Sequence, residues 1–252
     1  MEEEIKSEGK CLFCGNTFTK AGISRHLATH LAEKAANGIE GKSFFVKVET
    51  RKKWGNTPYF LSLWVDGEAK MKDVDDFLRK IWLECCGHLS AFTFPKRKMT
   101  FGGNNSRLFD AFGGGMENNE REIAMSRKVK DVFYKALALE YEYDFGSSTY
   151  LTITVIAEYP NKADKKIVLL SRNEPLRIMC SVCGKAPAIQ MCTSCMYQKE
   201  ANFCVKCAKK HEKECDDFTD YASMPVVNSP RWGVCGYEGG SIDVERDGPF
   251  KM

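Results

Sequence analysis

The chain has 252 residues, 43% of them hydrophobic and 12% aromatic, with a formal charge of +3. That length suits one substantial domain with small satellites, and the composition is that of a folded globular protein, not a disordered one. No apolar run approaches the roughly 18 residues that a membrane-spanning helix needs. The acidic start Met1-Glu2-Glu3-Glu4 lacks the basic-then-apolar order of a secretory signal, so a cytoplasmic location without membrane contact is expected. Twelve cysteines in a reducing compartment point to metal ligation over disulfides.

The first element is a metal knuckle. Cys11 and Cys14 form C-x2-C, and His26 and His30 form H-x3-H. The histidines lie one helical turn apart, so both imidazoles share a helix face and can complete a tetrahedral zinc site. Phe18 and Ile23 occupy two apolar positions of a miniature core. Residues 1–36 thus resemble a C2H2-type zinc finger, with eleven residues between Cys14 and His26 where about twelve is usual. If the helix read DNA, Thr19, Gly22 and Arg25 would face the bases, and only Arg25 can grip a guanine edge with two bonds. Arg25, with Lys20 at the helix start, is therefore the candidate nucleic-acid contact. Binding of protein or RNA, or capping of a neighbouring domain, fits such a finger equally well. The small, polar stretch 32–42 reads as the tail of the helix and a linker, the linker proper at 37–43.

Two alternating runs, 44–50 and 59–66, read as strands joined by a turn at Asn56-Thr57-Pro58. In 70–86, Val74, Phe77, Leu78, Ile81, Trp82 and Cys85 recur at helical spacing and mark one amphipathic face. A short strand over 91–95 precedes a glycine- and asparagine-rich loop over 101–119 that carries Phe101, Phe109 and Phe112. A second helix is expected over 121–138, with Ile123, Val129, Val132, Phe133 and Leu137 on its apolar side. Strands are expected over 139–145, 150–159 and 165–171. Helices and strands mixed without strict βαβ alternation predict an α+β fold: a mostly antiparallel sheet with two main helices, flanked by small zinc modules.

His88, Leu89 and Phe92 follow the first of these helices, and Tyr143, Asp144, Phe145 and Gly146 precede Tyr150 and Leu151 in the next strand. These two segments resemble the HL-x2-F and YDFG motifs of the plasmid pRiA4b ORF-3-like family, although the tryptophan usual after YDFG is missing from 147–149. The ending NSPRWGVCGYEGG, 228–240, is similar to that family's glycine-rich GY ending. The resemblance covers about half of the chain and implies a fold, not an activity. It also implies one domain formed by 44–176 and 218–244, with 177–217 inserted and 245–252 as a tail. His88 and Asp144 are its motif residues. Taken by themselves, they read more simply as an orienting or core histidine and a turn-stabilising aspartate. Cys85 and Cys86 read as helix-end core or surface thiols, not ligands, and Cys235 reads as a packed thiol, with replacement of a ligand as its alternative.

The strongest signal spans 180–215: C-x2-C-x8-C-x2-C-x8-C-x2-C-x3-H-x3-C, eight ligands for two tetrahedral zincs. Alternate pairing puts Cys180, Cys183, Cys204 and Cys207 at one site and Cys192, Cys195, His211 and Cys215 at the other. This cross-braced order is similar to that of B-box and MYND-type modules. Sequential pairing, 180/183/192/195 and 204/207/211/215, is the alternative. Beside these ligands Lys206, Lys209, Lys210 and Lys213 are offset by Glu212, Glu214, Asp216 and Asp217, a solvated mixed-charge face.

Zn2+ is therefore expected at three sites, each closed by four Cys or His ligands as structural zinc is. One such site would be neutral, one doubly negative and one singly negative, which cancels the formal +3 and removes the global electrostatic case for nucleic acid. The sequence points to a non-enzymatic interaction protein that presents zinc modules to a protein partner, with nucleic acid as the other partner class and a mobile-element or defence setting. The alternatives are a DNA-binding transcriptional regulator and a nuclease-like enzyme built on His88, Glu142 and Asp144.

Overall fold

Hairpin strands β1 (Glu8–Lys10) and β2 (Thr17–Thr19) lead into the 17-residue helix α1 (Lys20–Ala36) in the computed structural model, which describes residues 7–50, 58–95, 121–198 and 201–251. Thr19 starts the helix: its hydroxyl accepts a bond from the Gly22 amide at 3.2 Å, satisfying one of the donors that a helix start leaves open. Ile23, Leu27 and Leu31, each four residues from the next, form a buried stripe along α1.

That stripe needs a partner, and a six-stranded sheet supplies it. The strands are β3 (Glu40–Thr50), β4 (Phe60–Asp66), β5 (Ser90–Thr93), β6 (Ala138–Tyr143), β7 (Thr149–Asn161) and β8 (Ile167–Arg172). They run antiparallel throughout in the order β5-β6-β7-β3-β4-β8. Successive side chains of a strand point to opposite faces. Val46, Val48, Leu61, Leu63, Leu151 and Ile153 enter the main core, while Phe45, Phe60, Trp64 and Leu170 meet Ile23, Leu27 and Leu31 of α1 on the other face. Every residue of β4 is buried for this reason. The finger also joins the sheet through its backbone: Leu12 N donates to Leu170 O at 2.9 Å, and Gly9 bridges Asn173. The stretch read as a linker is largely structured, with α1 running to Ala36 and β3 starting at Glu40.

The fold is α+β with a mostly antiparallel sheet, but the two helices expected in its middle differ from expectation. The first is α2 (Met71–Leu78), which widens into a π-helical turn at Arg79–Leu83 and stops at Glu84. The second does not form. Ile123, Val129, Val132, Phe133 and Leu137 are all buried, yet only Val129–Asp131 make a short 3-10 turn. The backbone here is committed elsewhere: Ile123 N donates to Phe92 O, Arg127 O and Met125 O accept from the first amides of α2, and Val129 N donates to Ala69 O. Tertiary bonds thus replace the ladder a helix would use. The loop with Phe101, Phe109 and Phe112, and Asn56 and Thr57 of the turn, lie outside the described residues.

The cysteine-rich segment folds as β9 (Gln190–Cys192), β10 (Asn202–Phe203), helix α3 (Val205–His211) and β11 (Ser223–Pro225), with a small sheet in the order β10-β9-β11. The chain then returns to the large sheet. Ser229 Oγ donates to Trp82 O and Ser241 N to Lys80 O, both at 2.7 Å, so the open carbonyls of the π-helical turn receive partners. Arg172, fully buried at the end of β8, donates to Asn228 O and to the Asp247 carboxylate. Among the described residues no helix is long and apolar enough to cross a membrane.

Candidate metal centres

In the finger, Cys11, Cys14, His26 and His30 bring one ligand atom each within 4.8 Å of all the others. Cys14 Sγ lies 3.2 Å from His26 Nε2, which lies 3.2 Å from His30 Nε2. A tetrahedral zinc with Zn–S near 2.3 Å and Zn–N near 2.05 Å has S–S, S–N and N–N edges of about 3.8, 3.6 and 3.3 Å, close to what the side chains offer. Phe18 stacks on His26 with ring centroids 4.1 Å apart, and Phe13 leans on His30 at 5.3 Å, so the rings are oriented by the miniature core. Burial and the neighbouring His30 lower the pKa of His26, favouring the neutral imidazole that a metal requires.

The cysteine-rich unit groups its ligands crosswise. Cys180, Cys183, Cys204 and Cys207 converge at one point, and Cys192, Cys195, His211 and Cys215 at another. Cys183 and Cys204 sulfurs are 3.9 Å apart; Cys195 Sγ lies 3.6 Å from His211 Nε2 and 3.9 Å from Cys215 Sγ. Ser181 N and Ser181 Oγ both donate to Asn202 O, at 2.8 and 2.9 Å, which holds the first knuckle beside the third. Phe203 stacks on His211 at 4.4 Å and meets Phe218 at 5.8 Å, which with the ligands fills the small interior. Burial opposes ionisation of Cys180, but amides of Cys204, Cys183 and Val182 outweigh it and bring its pKa down to about 6. Burial and adjacent cysteines push Cys207 up to about 12 and Cys195 up to about 11. Crowded thiolates repel one another, and a divalent cation is what relieves that repulsion.

The residues that could contact nucleic acid are mostly occupied. Thr19 caps α1, and the Lys20 ammonium pairs with Glu49 of β3 at 2.7 Å. Arg25 is exposed. Lys206, Lys209, Lys210 and Lys213 are exposed among Glu212, Glu214 and Asp216.

The motif residues of the middle domain do meet: His88 Nδ1 lies 3.6 Å from Asp144 Oδ1. Glu142 does not join them. Its carboxylate accepts from Ser148 Oγ at 2.6 Å, on the opposite side of β6 from Tyr143, whose ring faces His88. Asp144 sits at φ +65 and accepts from the amides of Gly146 and Ser147. Its bond from Arg231, helped by those amides and against partial burial, holds its pKa at about 2. Around His88 the structure also gathers Cys85, Cys86 and Cys235, a fourth Cys/His group with the reach to hold a metal ion. The sequence reading treated these three cysteines as unrelated thiols. One shared signal was available: Cys14, Cys86, Cys183 and Cys235 are each followed by glycine.

No protein-family model matches the chain, and neither does any curated protein. Among solved structures it is similar to a protein of unknown function, MM3350 from Methanosarcina mazei Go1. The identity is 17%, over 53% of this chain and 68% of that one, with a TM-score of 0.36, a likeness too slight to speak for fold or function.

Proposed function

We propose that this chain is a non-enzymatic interaction protein whose structural zinc modules present a surface to a protein partner inside the cell. Zinc is the metal that suits these sets of four sulfur and imidazole donors, which leave no coordination position for water or substrate. The observation that carries the partner reading is on the cysteine-rich unit. Its interior is filled by ligands, and it turns Tyr197 and Tyr221 outward at 88% and 72% exposure. The two rings line a groove of about 440 Å³ with Met224 and Pro225. The rest of the groove is largely polar, with Thr193, Ser223 and Glu238, and exposed tyrosines, an apolar ring with a polar hydroxyl, beside such a concave floor suit protein contact. We also read the middle domain as a pRiA4b ORF-3-like domain, supported by the meeting of its motif residues His88 and Asp144.

The test is capture from native cells with the zinc-loaded chain and with a Tyr197→Ser, Tyr221→Ser variant of equal zinc content, half of each sample treated with nuclease. The expected result is a protein retained by the native chain after nuclease treatment and lost with the variant. Equal capture by both, or loss on nuclease treatment, rejects the reading. Retention on mixed DNA and RNA that weakens steeply with salt would favour the nucleic-acid alternative instead.

A further inference from the structure

The fourth Cys/His group joins residues that no spacing rule connects. Cys85, Cys86 and His88 follow the π-helical turn, and Cys235 arrives from the returning segment, 149 residues after Cys86. Cys86 Sγ and Cys235 Sγ each lie 3.2 Å from His88 Nε2, and Cys86 Sγ lies 3.5 Å from both Cys85 Sγ and Cys235 Sγ. These contacts fall close to the S–N and S–S edges of a zinc tetrahedron, about 3.6 and 3.8 Å. They match the 3.2 Å contacts in the finger as well.

Two independent features support ligation over chance crowding. The first is the backbone. At the two knuckles Cys11–Cys14 and Cys180–Cys183, the second cysteine is followed by a left-handed glycine, Gly15 at φ +79 and Gly184 at φ +61. The fourth group repeats that device twice, with Gly87 at φ +77 after Cys86 and Gly236 at φ +66 after Cys235. Few other residues take this conformation without strain, and it turns the chain sharply enough to bring His88 back beside Cys86.

The second feature is the surrounding shell. With His88 Nε2 among the sulfurs, its Nδ1 faces Asp144 Oδ1 at 3.6 Å, the arrangement in which a carboxylate orients a metal-bound imidazole. Arg231, fully buried, donates to Asp144 Oδ2 and points the same Nη2 at Cys85 Sγ, 3.6 Å away. One guanidinium thus holds the carboxylate behind the histidine and neutralises a thiolate of the group.

We propose that Cys85, Cys86, His88 and Cys235 form a fourth zinc site, which clamps the returning segment onto the end of the π-helical turn. The site would secure the cysteine-rich unit at its second attachment, whatever partner that unit binds. No ligand of this group is buried, whereas each of the other three groups buries at least one. The fourth zinc is accordingly the first to leave when a chelator is added. A disulfide is the competing chemistry: a Cys86–Cys235 or Cys85–Cys86 bond would leave an odd thiol and an imidazole with no sulfur ligand role.

The test uses the full chain, purified reduced and saturated with Zn2+, with alkylation of each cysteine followed by peptide mass spectrometry. Cys86 and Cys235 are expected to resist alkylation in the native chain. In a His88→Ala variant they should react at the rate of free surface thiols, with zinc content lower by one equivalent and the finger and cluster cysteines still protected. Co2+ loading should give charge-transfer and ligand-field absorption that falls by about a quarter in the same variant. A Cys235→Ser variant should repeat the loss of one equivalent and guards against a folding defect peculiar to His88→Ala. Free alkylation of Cys86 and Cys235 in the zinc-saturated native chain, a disulfide between them under reducing purification, or unchanged zinc content in both variants would overturn the proposal.

Discussion

The finger and the cysteine-rich unit use the same ligand chemistry on different interiors. In the finger, Ile23, Leu27 and Leu31 of α1 share one cluster with the ligand Cys11 and with Phe45, Trp64 and Leu170, so much of its apolar area belongs to the large sheet. In the cysteine-rich unit the buried cluster is made of the ligands themselves with Ala201, Phe203, Ala208, Phe218 and Ala222. A unit so small cannot bury enough apolar surface to offset the entropy of ordering its chain. Metal bound at the proposed sites would therefore carry most of the stability of the second unit, while in the first it would share the work with a core that exists without it.

Removal of the proposed zinc is the perturbation with the largest expected effect. Structural zinc contributes roughly 10–16 kcal/mol per site in small peptides, and that binding energy is folding energy. On chelation, amide exchange over the cysteine-rich unit should lose all protection, while α1 keeps part of its own and β3 and β7 keep nearly all. Equal loss in α1 and the unit would break the comparison.

Next is the attachment of the unit. Arg172 is fully buried and bonded to Asn228 and Asp247. Arg172→Ala leaves a buried carboxylate without its partner and should cost about 3–5 kcal/mol. The segment 228–247 should become sensitive to limited proteolysis, with zinc still held by the unit. Leu27→Ala, which empties a fully buried position between finger and sheet, should cost about 2–5 kcal/mol in urea unfolding of the sheet. Phe203→Ala should instead confine its damage to the cysteine-rich unit.

The smallest effect sharpens how the finger is oriented. The pair Lys20–Glu49, with side chains 24% and 28% exposed, should be worth about 1 kcal/mol or less, read from Lys20→Ala. Burial alone would raise the Glu49 pKa, but bonds and charge from Lys20 and Lys47 outweigh it and the net shift is downward. A depressed carboxylate stabilises the fold above its unfolded pKa of about 4.3 and loses that contribution as pH falls through its lowered folded value. The difference between native chain and Lys20→Ala should therefore vanish in acid. A difference that grows below pH 4 would contradict the pairing.

Legibility differed with the distance between partners. Ligands within one knuckle or one helical turn were readable from spacing, as were the strand of 59–66 and the burial of Ile123, Val129, Val132, Phe133 and Leu137. The conformation of that last segment was not, because its amides and carbonyls bond to Phe92, Ala69 and the start of α2, a choice no helical period reveals. The full burial of β4 was hidden as well, since it depends on α1 covering the far face of the sheet.

By itself the sequence determined the α+β class, the alternation that makes the strands, and twelve Cys and His residues spaced for metal. These depend on interactions within a few residues, which the covalent chain enforces. Tertiary structure alone decided that Cys180 and Cys183 share a site with Cys204 and Cys207, that the finger roofs the sheet, and that Cys86 meets Cys235. The two sulfur meetings bridge 21 residues, from Cys183 to Cys204, and 149, from Cys86 to Cys235, and only the pairing of strands and the return of the chain across the π-helical turn bring their side chains together.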